Sequence, residues 1–189
     1  MPTGKEIVYW DTCVFLAWMK DEVRAPGEME GVSQVAKRVM SDDIILVTSI
    51  LTRAEIIEAK MTPEQMAKYD LITKRSNVVP QNLDPPISVL TSEIRGHYLT
   101  TDFELLIPDA IHLATAIHYN ANEFHTFDGS KPRVPRDKRF KRCGLLNLNG
   151  SVAGHKLAIL TPINSQLELR LRPPDTPAIA QTVPLLEKK

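Results

Sequence analysis

Short runs of β-branched and apolar residues alternate along this chain with longer stretches of helical period, and that alternation constrains the fold more than any other feature. Strand, helix and strand in succession is the unit of a parallel sheet with helices on its faces. The strand candidates are Ile7–Trp10, Ile44–Thr48, Val78–Val79, Phe124–Phe127 and Leu157–Leu160. Their near-continuous apolar character suits strands covered on both sides. The helix candidates are Thr12–Met19, Gly31–Met40, Ser49–Lys60, Pro63–Lys74, Ile87–Leu99 and Pro108–Tyr119. Thr62, Pro63 and Gln65 spell a capping box with proline in the first turn. Pro108 pre-sets the start of its own helix, and Asn120 supplies a stop. The expected fold class is α/β.

At 189 residues the chain is near the length of one ordinary domain, and it carries no internal repeat. Residues 1–165 read as that domain. Residues 166–189 read as an extended tail containing Pro173, Pro174, Pro177 and Pro184, in which alternating Leu167, Leu169 and Leu171 allow a short edge strand. Hydrophobic residues make up 43% and charged residues 24%, with 8 glycines, which excludes collagen-like and fully disordered classes. Lys plus Arg and Asp plus Glu both total 23, so any pull on nucleic acid must come from a local patch. Cys13 and Cys143 stand alone, which excludes a zinc framework, makes a structural disulfide improbable and fits a reducing compartment. After Met1–Glu6 a run of only four apolar residues precedes Asp11, too few for the core of a secretory signal. The apolar stretch Ile44–Ile57 is broken by Arg53 and Glu55, so no span of a bilayer is expected. The expected location is the cytoplasm.

Four acids share one context. Asp11 ends the first strand candidate, Glu55 lies in the helix after the second, Asp109 sits in a helical first turn, and Asp128 follows Phe127. In an open parallel sheet the strand ends and the helices that start there face one crevice. Two carboxylates about 5 Å apart repel by roughly 3 kcal/mol at an effective dielectric of about 20. A hard divalent cation, Mg²⁺ or Mn²⁺, offsets that repulsion through oxygen ligands and suits phosphoryl chemistry. Each acid also has an ordinary reading. Asp11 can cap a helix, Asp109 can offset a helix dipole, and Asp128 before Gly129 can make a turn. Glu55, set among Ile50, Leu51, Ala54, Ile56 and Ile57, reads as partly covered, and Glu58 as the solvent residue.

Other chemistries lack their residues. There is no GxSxG, Walker or GxGxxG motif and no HExxH pair. His112 and His118 lie about 240° apart on a helix, so they read as core or surface histidines rather than one metal face. Trp10, Phe15, Leu16 and Trp18 read as packing residues.

The segments VYWDTCVFL, TSILTRAEII, IPDAIHLATA and FHTFD, in this order and spacing, resemble those of PIN-domain ribonucleases of the kind found as toxins in toxin–antitoxin pairs. The resemblance covers roughly residues 6–165, and IPDAIHLATA followed soon by a strand and an acid is its most specific part. It implies a three-layer α/β/α sandwich with a mainly parallel sheet of about five strands, and a metal-dependent endoribonuclease. Asp11, Glu55 and Asp109 match the acids around Mg²⁺ or Mn²⁺. Asp128 matches a fourth, more variable acid, and Thr126 a supporting hydroxyl. The resemblance further implies a cognate antitoxin that places a basic side chain among the acids, and a homodimer. The long segment between Asp128 and Leu157 departs from the family pattern, in which a short helix and a final strand follow within a few residues.

That segment starts basic and proline-containing, and is expected to be a loop. Lys131, Arg133, Arg136, Lys138, Arg139, Lys141 and Arg142, with Phe140 among them, are candidate contacts for RNA phosphates and an unpaired base. The ordinary alternative is a solvated loop. Two rival functions stand beside the nuclease. An aspartyl-phosphate phosphatase wants a second acid two residues after the first, where Cys13 stands. A PIN-like scaffold would bind RNA or a protein without cleaving.

Overall fold

The computed structural model describes residues 4–129 and 131–163, so the expected tail with its edge strand lies outside the described residues. Five strands form one wholly parallel sheet: β1 (Glu6–Trp10), β2 (Ile44–Ser49), β3 (Val78–Gln81), β4 (Glu123–His125) and, last in the chain, β7 (Ala158–Leu160). The spatial order is β3-β2-β1-β4-β7. The chain builds outward from β1 to β3, then returns to start the other half with β4 at β1's free edge. The junction of β1 and β4 is therefore the topological switch point, where the connection after β1 leaves to one face, the connection after β4 packs on the other, and a crevice opens.

Alternation along β1 divides the interior in two. Tyr9 faces a core with Ile45, Val47, Ile87, Ile94, Leu113 and Phe124. Val8 and Trp10 face a second core with Val14, Phe15, Val32, Leu46 and Ile72. Helices α1 (Thr12–Lys20), α2 (Glu28–Met40) and α4 (Pro63–Thr73) supply the second, while α5 (Pro85–Leu99) and α6 (Ile107–His118) supply the first. The result is the expected α/β/α sandwich. Among the described residues no helix is long and apolar enough to cross a membrane.

Three of the departures from the sequence reading have local reasons. Helix α2 starts at Glu28 rather than Gly31, because Gly27 adopts φ of 90° and the Glu30 side chain accepts the Gly27 N–H. The expected helix Ser49–Lys60 is broken: α3 (Leu51–Glu55) ends at Glu55, Ile56 and Ile57 are extended, and a single 3₁₀ turn follows at Glu58–Lys60. β-Branched Ile56 leaves the helix to bury in the second core, which makes Glu55 a terminal residue. The expected basic loop is in part a ribbon, with β5 (Pro132–Arg133) pairing antiparallel to β6 (Arg142–Cys143), followed by a 3₁₀ turn at Leu145–Leu148.

Two close packings lock the edges. A Cβ at Gly31 would stand 2.6 Å from backbone atoms of Pro162 and Ile163, so only glycine lets the chain after β7 cross α2 there. Buried Asn77 donates from Nδ2 to the carbonyls of Val39 (2.9 Å) and Ile44 (2.8 Å), tying the end of α2 to the start of β2. Loss of a buried donor that serves two carbonyls costs about 1–3 kcal/mol. Asn77→Ala is therefore expected to lower the thermal midpoint by several degrees in scanning calorimetry, with the circular-dichroism spectrum of the folded state unchanged.

Candidate active site

All four predicted acids, Asp11, Glu55, Asp109 and Asp128, line one cleft of about 350 Å³, together with Thr12, Cys13, Leu16, Arg24, Phe127 and Arg133. A larger cavity of about 570 Å³ lies between α2 and the segment after β7 and contains none of these acids. The cleft opens at the switch point, since Asp11 is the first residue past β1 and its N–H donates to the carbonyl of His125 at the end of β4 (3.1 Å). The backbone thus fixes Asp11 before any side chain acts.

Asp11 is buried and well partnered. Its Oδ1 accepts the N–H of Thr12 (2.7 Å), so it does cap α1. Its Oδ2 accepts the hydroxyl of Thr126 (2.7 Å) and faces the thiol of Cys13 (3.1 Å). Thr126 also accepts the N–H of Asp128 (2.9 Å), and Cys13 accepts that of Phe127 (3.1 Å). Burial first, and then the charge of Asp11, push the Cys13 thiol far up, which leaves it a neutral support. Thr126, the expected supporting hydroxyl, thus bridges the Asp11 carboxylate and the Asp128 N–H.

Glu55 accepts from the hydroxyl of Thr12 and meets His112 Nε2 at 3.0 Å. Burial favours the neutral acid, but these two hydrogen bonds outweigh it and hold Glu55 below its ordinary pKa. His112 is fully inside. The Tyr9 hydroxyl accepts the N–H of Ser49 (3.0 Å) and stands 2.6 Å from His112 Nδ1. A hydroxyl that already accepts is placed to donate, which makes Nδ1 the acceptor and leaves the Nε2 proton for Glu55. Burial disfavours a charge on this ring, yet the bond to Glu55 and the charges of Asp11, Glu55 and Asp109 hold its pKa above the ordinary value. His112 is thus a site residue that the sequence reading left among core or surface histidines. Its position three residues after Asp109, one helical turn on, is the signal that marks it.

Asp128 is held differently from the other three. Its Oδ2 accepts the N–H of Leu145 (3.1 Å), and its Oδ1 pairs with Arg133 Nη2. Its carbonyl accepts the N–H of Leu146 (3.1 Å), so Asp128 also seats the 3₁₀ turn of the inserted segment. Of the other expected basic contacts, Arg139 pairs with Asp137 (2.6 Å) and Arg142 lies 4.0 Å from Glu104. Lys131, Arg136, Lys138 and Lys141 are exposed, with no ion pair among the described residues.

Asp109, in the first turn of α6, is the exception. Among the described residues no hydrogen-bond donor reaches its carboxylate, while burial and then the charge of Asp11 raise its pKa from 3.8 to about 6. Hard carboxylate oxygens around one cleft, with one carboxylate unsatisfied, are the donor chemistry of a divalent cation. Among the described residues no three acid, histidine or cysteine side chains already form a cation cage, and Glu55 and Asp128 each meet a protein donor.

The raised pKa has a defined sign. A carboxyl that binds its proton more tightly when folded stabilises the protein fully below about pH 4, and that stability is lost as pH rises through about 6. Without added metal, Asp109→Asn is expected to melt at the same temperature as the parent at pH 4. At pH 7.5 it should melt several degrees higher, a gain on the order of 2 kcal/mol. Equal melting at both values would mean that the carboxylate is already compensated.

A PIN domain family model matches residues 8–137. Solved structures that share the fold at low identity include these two. One is VapBC2 from Rickettsia felis bound to a DNA fragment from their promoter, with a TM-score of 0.56, 12% identity, and coverage of 81% of this chain and 98% of that one. The other is FitAcB from Neisseria gonorrhoeae, with a TM-score of 0.50, 17% identity, and coverage of 82% and 97%. No curated protein matches. With the family's model spanning most of the sheet and all four cleft acids, this chain belongs to the PIN domain family.

Proposed function

We propose that this chain is a metal-dependent endoribonuclease that hydrolyses RNA phosphodiester bonds, as the toxin of a toxin–antitoxin pair in the cytoplasm. The observation that carries the reading is Asp109, an acid set beside Asp11 in the cleft without a protein donor among the described residues. Such a group takes up a proton or a cation, and at neutral pH a divalent cation is the stronger partner. Asp11, Glu55 and Asp109 would hold Mg²⁺ or Mn²⁺, with Asp128 completing the pocket or orienting water. The bound ion supplies Lewis-acid polarisation of a phosphoryl oxygen and a more acidic water.

The chain's own residues prepare that chemistry. Thr126 and Cys13 fix Asp11, and Thr12 and His112 fix Glu55, so two carboxylates enter the reaction already oriented. The exposed cations Lys131, Arg136, Lys138 and Lys141, with Arg139 and Arg142 more weakly, would draw RNA phosphates toward the cleft. A partner antitoxin would silence the enzyme by placing a basic side chain among the acids, and the domain, residues 1–165, would pair as a homodimer.

The test is incubation of the pure protein with mixed RNA. Cleavage is expected with Mn²⁺ or Mg²⁺, none with EDTA, and a loss of about a hundredfold or more in Asp11→Asn with the fold intact. RNA that is bound but never cut, with either metal, would favour the scaffold reading instead.

A further inference from the structure

The cleft that gathers the acids is also lined by two arginines, Arg24, which pairs with none of those acids, and Arg133, which pairs with Asp128 alone. A cleft of four acids repels a polyanion, so a nuclease built on it needs donors beside the acids that hold the substrate's other phosphates.

Arg24 has the form of such a donor. Its guanidinium lies over the Phe127 ring, 3.7 Å from the centroid, which fixes the plane of the group. Its Nη2 donates to Glu22 (2.6 Å), an acid that does not line the cleft. Its buried Nε–H has no hydrogen-bond partner. Arg24 therefore pairs with none of the cleft acids, although its side chain lines their cleft. Arg133 comes from the ribbon, is held by Asp128 through Nη2 alone, and keeps 45% of its side chain exposed. The residues that orient the two guanidiniums, Phe127 and Asp128, are consecutive, so both cations stand on the rim formed just after β4.

We infer that Arg24 and Arg133 form a two-residue clamp for the phosphodiester adjacent to the one presented to the carboxylates, on single-stranded RNA. The inference rests on the nuclease reading. Each guanidinium is already aimed by one aromatic or acidic neighbour, so less freedom is lost when phosphate binds. The clamp also gives the cleft a direction, with the cation-bearing rim on the β4 side marking where the neighbouring nucleotide lies.

The experiment is steady-state cleavage of a fluorogenic single-stranded RNA with Mn²⁺ by the full chain, Arg24→Gln, Arg133→Gln and the two lysine variants, with Lys74→Gln as a cation outside the cleft. Both glutamine variants are expected to raise KM at least fivefold with kcat changed less than twofold. The plot of log kcat/KM against log salt should be shallower by about 0.7 for each arginine removed. Arg24→Lys and Arg133→Lys should recover the salt slope but only part of the KM, because the planar fork is lost. Unchanged KM and slope in both glutamine variants, while the parent cleaves RNA, would overturn the clamp and leave the nuclease standing. A fall in kcat alone in Arg133→Gln would assign Arg133 to holding Asp128 and overturn its place in the clamp. If the parent neither cuts nor binds the RNA, the nuclease reading itself fails and the clamp with it.

Discussion

The pairing of β1 with β2 on one side and β4 on the other is the constraint on which the site depends. Because β1 is central, Asp11 leaves the sheet with its N–H still bonded to His125, and the ladder dictates where the first carboxylate stands. Helix α1 begins at the next residue, so one side chain both ends a strand and caps a helix. From that fixed point Thr126, the residue after the partnered His125 carbonyl, falls within reach of the same carboxylate. Helix α6 then brings Asp109 and His112 over the crevice on successive turns. The site is a consequence of strand order before it is a matter of side-chain choice.

Charge in the cleft is compensated unevenly, and the unevenness is informative. Repulsion among four acids would by itself ask for a counter-ion, but three of them already have protein partners. Asp11 has the helix start and two side-chain donors, Glu55 has Thr12 and His112, and Asp128 has Arg133 and the Leu145 N–H. The unmet demand is concentrated on Asp109. This narrows the electrostatic argument from a crowd of carboxylates to one acid that burial and a like charge leave unsatisfied. The chain of Ser49, Tyr9 and His112 behind Glu55 has the opposite character, with every group paired, and so acts as a stiff backing.

The sheet was legible in the sequence because its strands are continuous apolar runs set between helical periods, and each of the five candidates overlaps an observed strand. The four acids were legible because Asp11 and Asp128 follow strand candidates while Glu55 and Asp109 lie in helix candidates. What the sequence hid depends on distance in three dimensions. The helix break after Glu55 follows from Ile56 finding a core, which no local period reveals. Cys13, absent from every metal or disulfide pattern, matters because Thr126 and Phe127 return beside it more than a hundred residues later. The helical period separates His112 from His118, whereas its relevant neighbour in the helix is Asp109.

The inserted segment after Asp128 joins these threads. A Cβ at Gly144 would stand 2.6 Å from the carbonyl oxygen of Asp128, so the segment lies directly against the end of the β4 strand exit. Leu145 and Leu148 bury into the core under α6, which secures one end of the insertion by apolar area. The ribbon of β5 and β6 extends from this anchor with most of its cations in water and Arg133 turned back to the cleft. Asp128 thus connects the two, with one oxygen on the anchor's first N–H and the other on Arg133. A carboxylate committed in this way is a weaker ion ligand than Asp109 and a stronger organiser of the rim. The segment between Asp128 and β7 is therefore seated at the edge of the cleft, where it holds Asp128 directly and reaches Asp109 only through the charge of Arg142.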